Sequence, residues 1–205
     1  GIVVLGVGLR FIRATHAGFT YDEIVSWIMA RNASSAWELI AHSPHDNNHI
    51  LNTLWLWLIG SGHWWVTYRL PAILFGIGSI GLAYLIAKRW SQASGSIAAI
   101  LLASSNLMIL HSSEARGYSG LVFFGLLATW LLMAASEKNL IRWQIAFWIT
   151  CLLGILSHLT FVVILPPLFL WKVIESHHSK LVIIKLVMWF LMPTATTILI
   201  YFLSY

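Results

Sequence analysis

The chain has 205 residues, of which 59% are apolar and only 9% charged, and its formal net charge is +5. About a quarter of the residues of a soluble domain are charged, so this composition excludes an ordinary soluble protein and predicts an integral membrane protein. The basic residues are dispersed between apolar runs without forming a patch, which excludes nucleic acid as a partner.

The first elements predicted along the chain are an apolar run over residues 1–9 and a long amphipathic segment over residues 16–65. The first run is much shorter than the roughly 20 residues that a membrane span requires, and the last run continues to the final residue. We therefore expect a fragment truncated at both ends, in which residues 1–205 form one membrane domain. Residues 16–65 are expected to form its first extracytoplasmic loop, with amphipathic helices beside the membrane.

Further apolar runs follow this loop, separated by short polar segments. Their bounds are 70–87, 93–110, 121–135, 143–156, 161–174 and 181–203. Together with the first run they predict an all-α, polytopic membrane helix bundle with about seven spans in this fragment. Pro166 and Pro167 are expected to kink the run that contains them, because proline removes a backbone donor and clashes with the preceding turn.

The lysines and arginines of the short loops predict the orientation of the bundle. If the first span leaves the cytoplasm, every lysine in the chain falls on the cytoplasmic side. Asp22, Glu23 and Glu114 then lie on the extracytoplasmic side, together with several arginines. The sequence therefore predicts that any chemistry is on the extracytoplasmic face.

The arginines on that face depart from the simple charge rule. Arg10 and Arg13, at the end of the first span, are interpreted as snorkelling toward the interface. Arg69 and Arg116 abut spans close to acidic and aromatic residues. A bound anion explains these two, because the guanidinium fork fits phosphate oxygens and stays charged in a low-dielectric site.

Tyr21-Asp22-Glu23, soon after the first span, is the first candidate for chemistry. Adjacent carboxylates on a helix point about 100° apart, so one of them can act as a general base while the other makes structural bonds. The alternative is the acid-rich first turn of an interfacial helix, where the helix dipole favours acids.

The second candidate is the segment 42–49, which leads into a helix predicted from Asn47 onward. On that helix His49 and Asn52 share one side. The conceivable metal ligands of the segment are His42, His45, Asp46 and His49. Pro44 interrupts the segment and no second ligand cluster is evident, so we favour a polar cavity lining over a metal site.

Two more polar segments lie at the extracytoplasmic ends of spans. In the segment 111–118, Glu114 and Tyr118 are expected to lie one turn apart on a helix, and Arg116 either neutralises Glu114 or clamps a phosphate. A local ion pair that caps a tight turn is the alternative. In the segment 157–160, His158 and the neighbouring hydroxyls could bind a headgroup, although polar residues are also common in turns.

In this order the segments resemble the GT-C glycosyltransferases, and more narrowly the bacterial family of protein mannosyltransferase-like and aminoarabinose transferase-like enzymes. The matching motifs are Tyr21-Asp22-Glu23, Asn47-Asn48-His49-Ile50-Leu51, Tyr68-Arg69-Leu70-Pro71-Ala72, Ser113-Glu114-Ala115-Arg116-Gly117-Tyr118 and Ser157-His158-Leu159-Thr160. They extend over almost the whole chain. One departure is that prolines usually follow the loop histidine in this family, whereas Ile50 follows His49 here.

The resemblance implies a glycosyltransferase of the bacterial plasma membrane that uses a sugar on a polyprenyl phosphate, with the lipid tail between spans. It implies that Asp22 is the catalytic base with Glu23 in support, and that Arg116 and Arg69 stabilise the leaving phosphate. The other residues it implies for the donor pocket are His49, Glu114, Tyr118 and His158. It implies no nucleotide cofactor, and a divalent cation is not favoured.

Two other functions stay open from the sequence. A non-catalytic carrier or flippase-like binder of polyprenyl phosphate needs the arginines but has little use for the carboxylate of Asp22. A transporter usually places ionisable residues near the bilayer midplane and often has repeated halves, and neither feature is found in this sequence. The sequence identifies neither the sugar nor the acceptor, which in the family is a protein, lipid A or a cell-wall polymer.

Overall fold

The computed structural model describes residues 1–41, 49–135, 140–175 and 180–204. It is 85% helical and has no strand among these residues, which confirms the all-α class. The helices, in chain order, are α1 (Ile2–His16), α2 (Tyr21–Asn32), α3 (Ala36–Ala41), α4 (Ile50–Ile59), α5 (Trp65–Ala87), α6 (Gln92–Ser104), α7 (Asn106–His111), α8 (Tyr118–Ala134), α9 (Leu140–Ser157), a 3₁₀ helix (Leu159–Ile164), α10 (Leu165–Glu175) and α11 (Lys180–Ser204).

Helix α5 lies at the centre of the N-terminal half. It packs against α1, α6 and α8, and α8 in turn packs against α9. The largest apolar cluster lies between α8, α9 and the 3₁₀ helix, and it includes the buried residues Phe124, Phe147, Cys151 and Phe161. Outward-facing side chains are also apolar, for example Leu74 on α5, which is 57% exposed. A helix that is apolar on both its inner and outer faces is typical of a membrane environment.

Most of the described helices are shorter than the roughly 20 residues that a membrane span requires. In the described ranges, α5 alone is long and apolar enough to cross a membrane, while α1 and α2 satisfy that test only as a pair bent by 74°. The run 93–110 is divided at Ser105, whose backbone is extended and whose hydroxyl accepts from the Met108 amide. Because this cap starts a new helix, α6 and α7 are separate, and the number of spans stays a prediction.

The predicted kink at Pro166 and Pro167 is replaced by a change of helix type. The 3₁₀ helix ends at Ile164, and α10 starts at Leu165 with both prolines in its first turn. The amides of a first turn have no partner within the helix, so proline removes nothing there.

Arg10 does not snorkel to the interface, contrary to the prediction. Its side chain is buried, and it donates to the carbonyls of Leu102 and Ala103 over 3.0 and 3.3 Å. These carbonyls belong to the last turn of α6, where backbone acceptors have no partner within the helix. Arg10 therefore caps the C-terminus of α6 and fastens α1 to it.

The segment between α1 and α5 folds back onto the bundle through α2, α3 and α4. A small apolar cluster fixes it, in which Ala30 of α2, Leu56 of α4, Tyr68 of α5 and Ala115 of the loop after α7 are all buried. This cluster packs α2 against the loop that precedes α8. The candidate site lies where those two segments meet.

Candidate active site

Glu23 is a buried carboxylate in the first turn of α2. It accepts from Nε and Nη2 of Arg69, both over 2.8 Å, and from the Ala115 amide over 2.6 Å. It also accepts from the Thr20 amide over 2.9 Å, which completes a capping box at the start of α2. The side chains of Glu23 and Arg69 are both 0% exposed. Glu23 thus fastens α2 to α5 and to the loop before α8.

Every N–H group of Arg69 has a protein partner. Besides Glu23, it donates to the carbonyls of Ala14, Ala17 and Gly18, each over 2.8 Å. These carbonyls lie at and just beyond the C-terminus of α1, where free acceptors and the helix dipole favour a cation. No donor of Arg69 is left for a phosphate oxygen, so the structure gives this arginine a scaffold role in place of the predicted phosphate contact.

Asp22 lies on the open side of the same helix turn. Its Oδ2 accepts from Nη1 of Arg116 over 2.8 Å, and the two side chains are 51% and 19% exposed. Both residues line a polar cavity of about 300 Å³. The described residues around this cavity are Tyr21, Asp22, Val25, Ser26, Met29, His49 and Arg116. The structure therefore brings Asp22, His49 and Arg116 together, although 94 positions separate Asp22 from Arg116 (116 − 22).

Val25, Ser26 and Met29 were not among the residues predicted from the sequence. They stand three, four and seven positions after Asp22, so the helical period places all of them on one face with it. Applying this period to α2 from Asp22 identifies these three residues, and Tyr21 completes the wall that α2 contributes to the cavity.

Tyr118, the first residue of α8, is the centre of an aromatic cluster beside the cavity. The rings of His111, His158 and His49 lie 4.6, 4.8 and 5.1 Å from its ring, measured between centroids. The guanidinium of Arg116 lies over the same ring at 4.7 Å and donates to the Tyr118 hydroxyl over 3.2 Å. Tyr118 therefore holds Nη2 of Arg116, while Nη1 pairs with Asp22.

Burial keeps the histidines of this cluster neutral. Burial, followed by the nearby charges of His158 and Arg116, lowers the pKa of His49 to about 3. Burial and Arg116 also lower the pKa of His158, whose Nδ1 accepts from the Thr160 amide over 3.2 Å. At neutral pH the positive charge beside Asp22 is therefore that of Arg116.

Glu114 does not take the predicted position. It lies in the loop before α8, which begins at Tyr118, so the two residues are not one turn apart on a helix. Arg116 pairs with Asp22 instead of Glu114. Burial and the charge of Glu23 raise the pKa of Glu114. Glu114 is absent from the described residues that line the polar cavity.

A second cavity, of about 200 Å³, shares Arg116 with the first. Its described lining residues are Leu51, Asn52, Trp55, Pro71, Ala72, Phe75, Arg116, Gly117 and Ser157. Only a glycine fits at position 117, because a Cβ there would lie 1.6 Å from the Ser157 carbonyl oxygen. This close approach of α8 to the end of α9 brings Arg116 to the boundary between a polar and an apolar cavity.

Asn52, which the helical pattern placed on the same side as His49, makes a structural contact. Its Nδ2 donates to the Ala115 carbonyl and joins α4 to the loop before α8. The conceivable metal ligands His42, His45 and Asp46 lie outside the described residues, as do the motif residues Asn47 and Asn48. Within the described ranges, no group of three or more His, Cys, Asp or Glu side chains is placed to hold a metal ion.

Comparison with known proteins agrees with the motifs. Residues 50–205 match the family described as dolichyl-phosphate-mannose-protein mannosyltransferase; Asp22 and Glu23 precede this range. A Bacillus subtilis (strain 168) protein described as "Putative mannosyltransferase YkcB" is 32% identical over 114 residues, which cover 55% of this chain and 16% of that protein. No solved structure matches the chain. The chain belongs to the dolichyl-phosphate-mannose-protein mannosyltransferase family, whose members are GT-C membrane glycosyltransferases.

Proposed function

We propose that the protein transfers a sugar from a polyprenyl-phosphate donor to an acceptor hydroxyl at the extracytoplasmic face of the bacterial plasma membrane. The observation that carries this proposal is the pair of Asp22 and Arg116, 2.8 Å apart at the edge of a polar cavity. Such a transfer needs a base for the hydroxyl and a cation for the departing phosphate. Family membership supports sugar transfer, and the names of the family and of YkcB make mannose the first sugar to test.

Asp22 is the proposed base. It takes the proton of the acceptor hydroxyl as the hydroxyl oxygen bonds to the anomeric carbon of the sugar. The bond from that carbon to the phosphate oxygen breaks, and the electron pair leaves with the polyprenyl phosphate. This single displacement inverts the anomeric centre and needs no covalent enzyme intermediate. The 51% exposure of Asp22 leaves the carboxylate accessible to an acceptor.

Arg116 is the proposed phosphate ligand. Its Nε and the hydroxyl of Ser157 are buried and have no hydrogen-bond partner in the described part of the chain. Both residues line the apolar cavity, and Arg116 also lines the polar one. A lipid-linked sugar has the matching layout, with its phosphate between a polar sugar and an apolar chain. The polar cavity then receives the sugar, and the apolar cavity receives the lipid carbons next to the phosphate.

Glu23 and Arg69 are positioning residues in this proposal. Their buried contacts hold the first turn of α2, and hence Asp22, against the loop that carries Arg116. Tyr118 contacts Arg116 directly, and His49 and His158 support its ring. The proposal uses no metal ion and no nucleotide.

The donor class is tested with the full-length protein in membranes, supplied with radiolabelled polyprenyl-phosphate mannose, with other polyprenyl-phosphate sugars, or with a nucleotide sugar alone. We expect transfer to endogenous acceptor from a lipid-linked donor, and weakened donor binding in the Arg116→Gln variant. Binding without transfer would favour the non-catalytic carrier. If the carrier lipid is extracted from the membranes and the protein still transfers sugar from the nucleotide sugar, the proposed donor class is wrong.

A further inference from the structure

A small closed cavity lies behind the aromatic cluster, where α1, α5, α7 and α8 meet. Its volume is about 10 Å³, close to the smallest volume that admits one water molecule. The described residues that line it are Arg10, Gly76, Ser79, Leu102, Met108, His111, Ser112, Ser119 and Val122.

Three polar atoms on this lining have no hydrogen-bond partner among the described residues. They are Arg10 Nε, His111 Nδ1 and Ser119 Oγ. Arg10 and Ser119 are 1% and 5% exposed, so bulk water does not reach them. Leaving a donor or acceptor unpaired in the interior is costly, and native proteins pair nearly all such groups. Three unpaired groups around one water-sized space therefore indicate a shared partner.

Gly76 keeps the space open. A Cβ at this position would lie 2.7 Å from Ser112 Oγ and 2.9 Å from Arg10 Nε. The other hydroxyls of the lining are already satisfied, because Ser79 donates to the Phe75 carbonyl and Ser112 to the Met108 carbonyl. Among the described lining residues, the side-chain polar atoms that still lack a hydrogen-bond partner are therefore Arg10 Nε, His111 Nδ1 and Ser119 Oγ.

We propose that this cavity is a hydration site for one ordered water molecule. The water accepts hydrogen bonds from Arg10 Nε and from the Ser119 hydroxyl and donates one to His111 Nδ1, which is within its capacity for two accepted and two donated bonds. His111 Nδ1 is then an acceptor, and the ring proton is on Nε2. Burial and Arg116 lower the pKa of His111, which agrees with a neutral ring.

The water joins the scaffold to the wall of the candidate site. Arg10 holds the end of α6 through backbone carbonyls, and His111 packs against Tyr118 at 4.6 Å. Tyr118 in turn contacts Arg116. One water molecule therefore extends a chain of contacts from the buried guanidinium of Arg10 to the cation of the site. This inference does not depend on the proposed reaction.

The sign of the change in melting temperature tests the proposal in the Ser119→Ala variant of the full-length protein. With water in the cavity, the variant removes one of its hydrogen bonds and lowers Tm by about 2–4 °C. In a dry cavity the variant removes a buried, unpaired hydroxyl, and an unchanged or raised Tm would overturn the proposal. Ser104→Ala is the control, since that exposed helix hydroxyl donates to the Ile100 carbonyl, and its Tm should change by about 1 °C or less.

A structure of the full-length protein that resolves ordered water gives the direct measurement. We expect one density peak within hydrogen-bond distance of Arg10, His111 and Ser119, and an empty cavity would overturn the proposal. Exchanging chloride for gluconate separates water from an anion held by Arg10. If Tm is the same in both salts, the occupant is water. If Tm depends on chloride in the wild type but not in Ser119→Ala, the cavity binds an anion and the proposal is wrong.

Discussion

Asp22 and Glu23 are neighbours in the sequence, but the ion pairs that they form with arginines lie in different environments. Glu23 and Arg69 are both 0% exposed, and each is saturated with protein hydrogen bonds. Asp22 and Arg116 meet over the same 2.8 Å, but their side chains are 51% and 19% exposed at the edge of a cavity. A saturated pair can hold helices together but has no donor or acceptor to offer a substrate. The comparison assigns the first pair to the scaffold and the second to the proposed chemistry.

Helix geometry separates the two carboxylates. Adjacent side chains on a helix point about 100° apart, so when Glu23 points into the bundle Asp22 points along its surface. The capping box with Thr20 fixes this rotation at the start of α2. A change at Glu23 should therefore affect folding first, and a change at Asp22 should affect transfer first.

The largest expected effect is that of Glu23→Gln. It leaves Arg69 as an uncompensated buried charge, which costs about 3–5 kcal/mol of folding free energy. Thermal unfolding of the purified full-length protein measures this loss. The matched control is Glu175→Gln, whose exposed pair with Lys172 contributes about 1 kcal/mol or less. Equal losses in both variants would contradict the scaffold role of Glu23.

Arg116→Lys should lower sugar transfer by about 10- to 100-fold while the fold is kept. Lysine retains the charge but lacks the guanidinium fork that reaches Asp22 and Tyr118 together. The initial rate of transfer from the lipid-linked donor is the measurement. Arg89→Lys, an exposed residue that donates to the Met133 carbonyl, should transfer sugar at the wild-type rate. A wild-type rate in Arg116→Lys would show that charge alone suffices.

Gly117→Ala should destabilise the protein by about 1–3 kcal/mol, because added atoms in a packed interior force the backbone to shift. The new Cβ meets the Ser157 carbonyl and His49, so α8 and α9 must separate next to Arg116. Gly81→Ala is the control, since its Cβ meets nothing within 4 Å, and it should stabilise α5 by about 0.5–1 kcal/mol. Unfolding midpoints of the two variants should therefore move in opposite directions.

The smallest expected effect is a loss of stability at acidic pH from His49. Its pKa of about 3 in the folded protein lies below the unfolded value of about 6.5, so the unfolded state binds the additional proton. Stability is full above about pH 7 and falls as the pH drops through 6.5, by about 1 kcal/mol between pH 7.5 and 5.5.

Melting curves of wild type and His49→Gln over this pH range isolate the contribution of His49. The raised pKa of Glu114 acts with the opposite sign, since its stabilisation is lost as the pH rises through the folded pKa, but it is common to both proteins. His63→Gln, at an exposed histidine, is the control. An identical pH dependence of wild type and His49→Gln would contradict the buried, neutral state of His49.

The helical class and part of the site were predictable from the sequence. The scarcity of charge and the long apolar runs indicate helices that are apolar on their inner and outer faces alike, as the structure shows for α5. The sequence placed Asp22, His49, Glu114 and Arg116 on one predicted face of the membrane, and three of them, without Glu114, line the polar cavity. These inferences succeeded because they rest on composition and on the order of segments.

The partners of the buried arginines and the positions of the helix ends were less predictable. Nothing local indicates that Arg69 pairs with Glu23, because the contact depends on the end of α1 reaching α5. Arg10 similarly binds carbonyls of α6 that are free only because this helix ends at Ser104. The run 93–110 is divided into α6 and α7 because the Ser105 hydroxyl caps the start of α7. A hydropathy profile does not detect such a cap.

The central claim is that Asp22 takes part in the chemical step while Glu23 beside it holds the fold. The most direct measurement compares Asp22→Asn with wild type for transfer from the lipid-linked donor, for donor binding and for thermal unfolding. We predict that transfer falls by about 10²- to 10⁴-fold, that the donor still binds, and that stability changes by about 1 kcal/mol or less. Undiminished transfer, or a loss of folding as large as that of Glu23→Gln, would contradict the account.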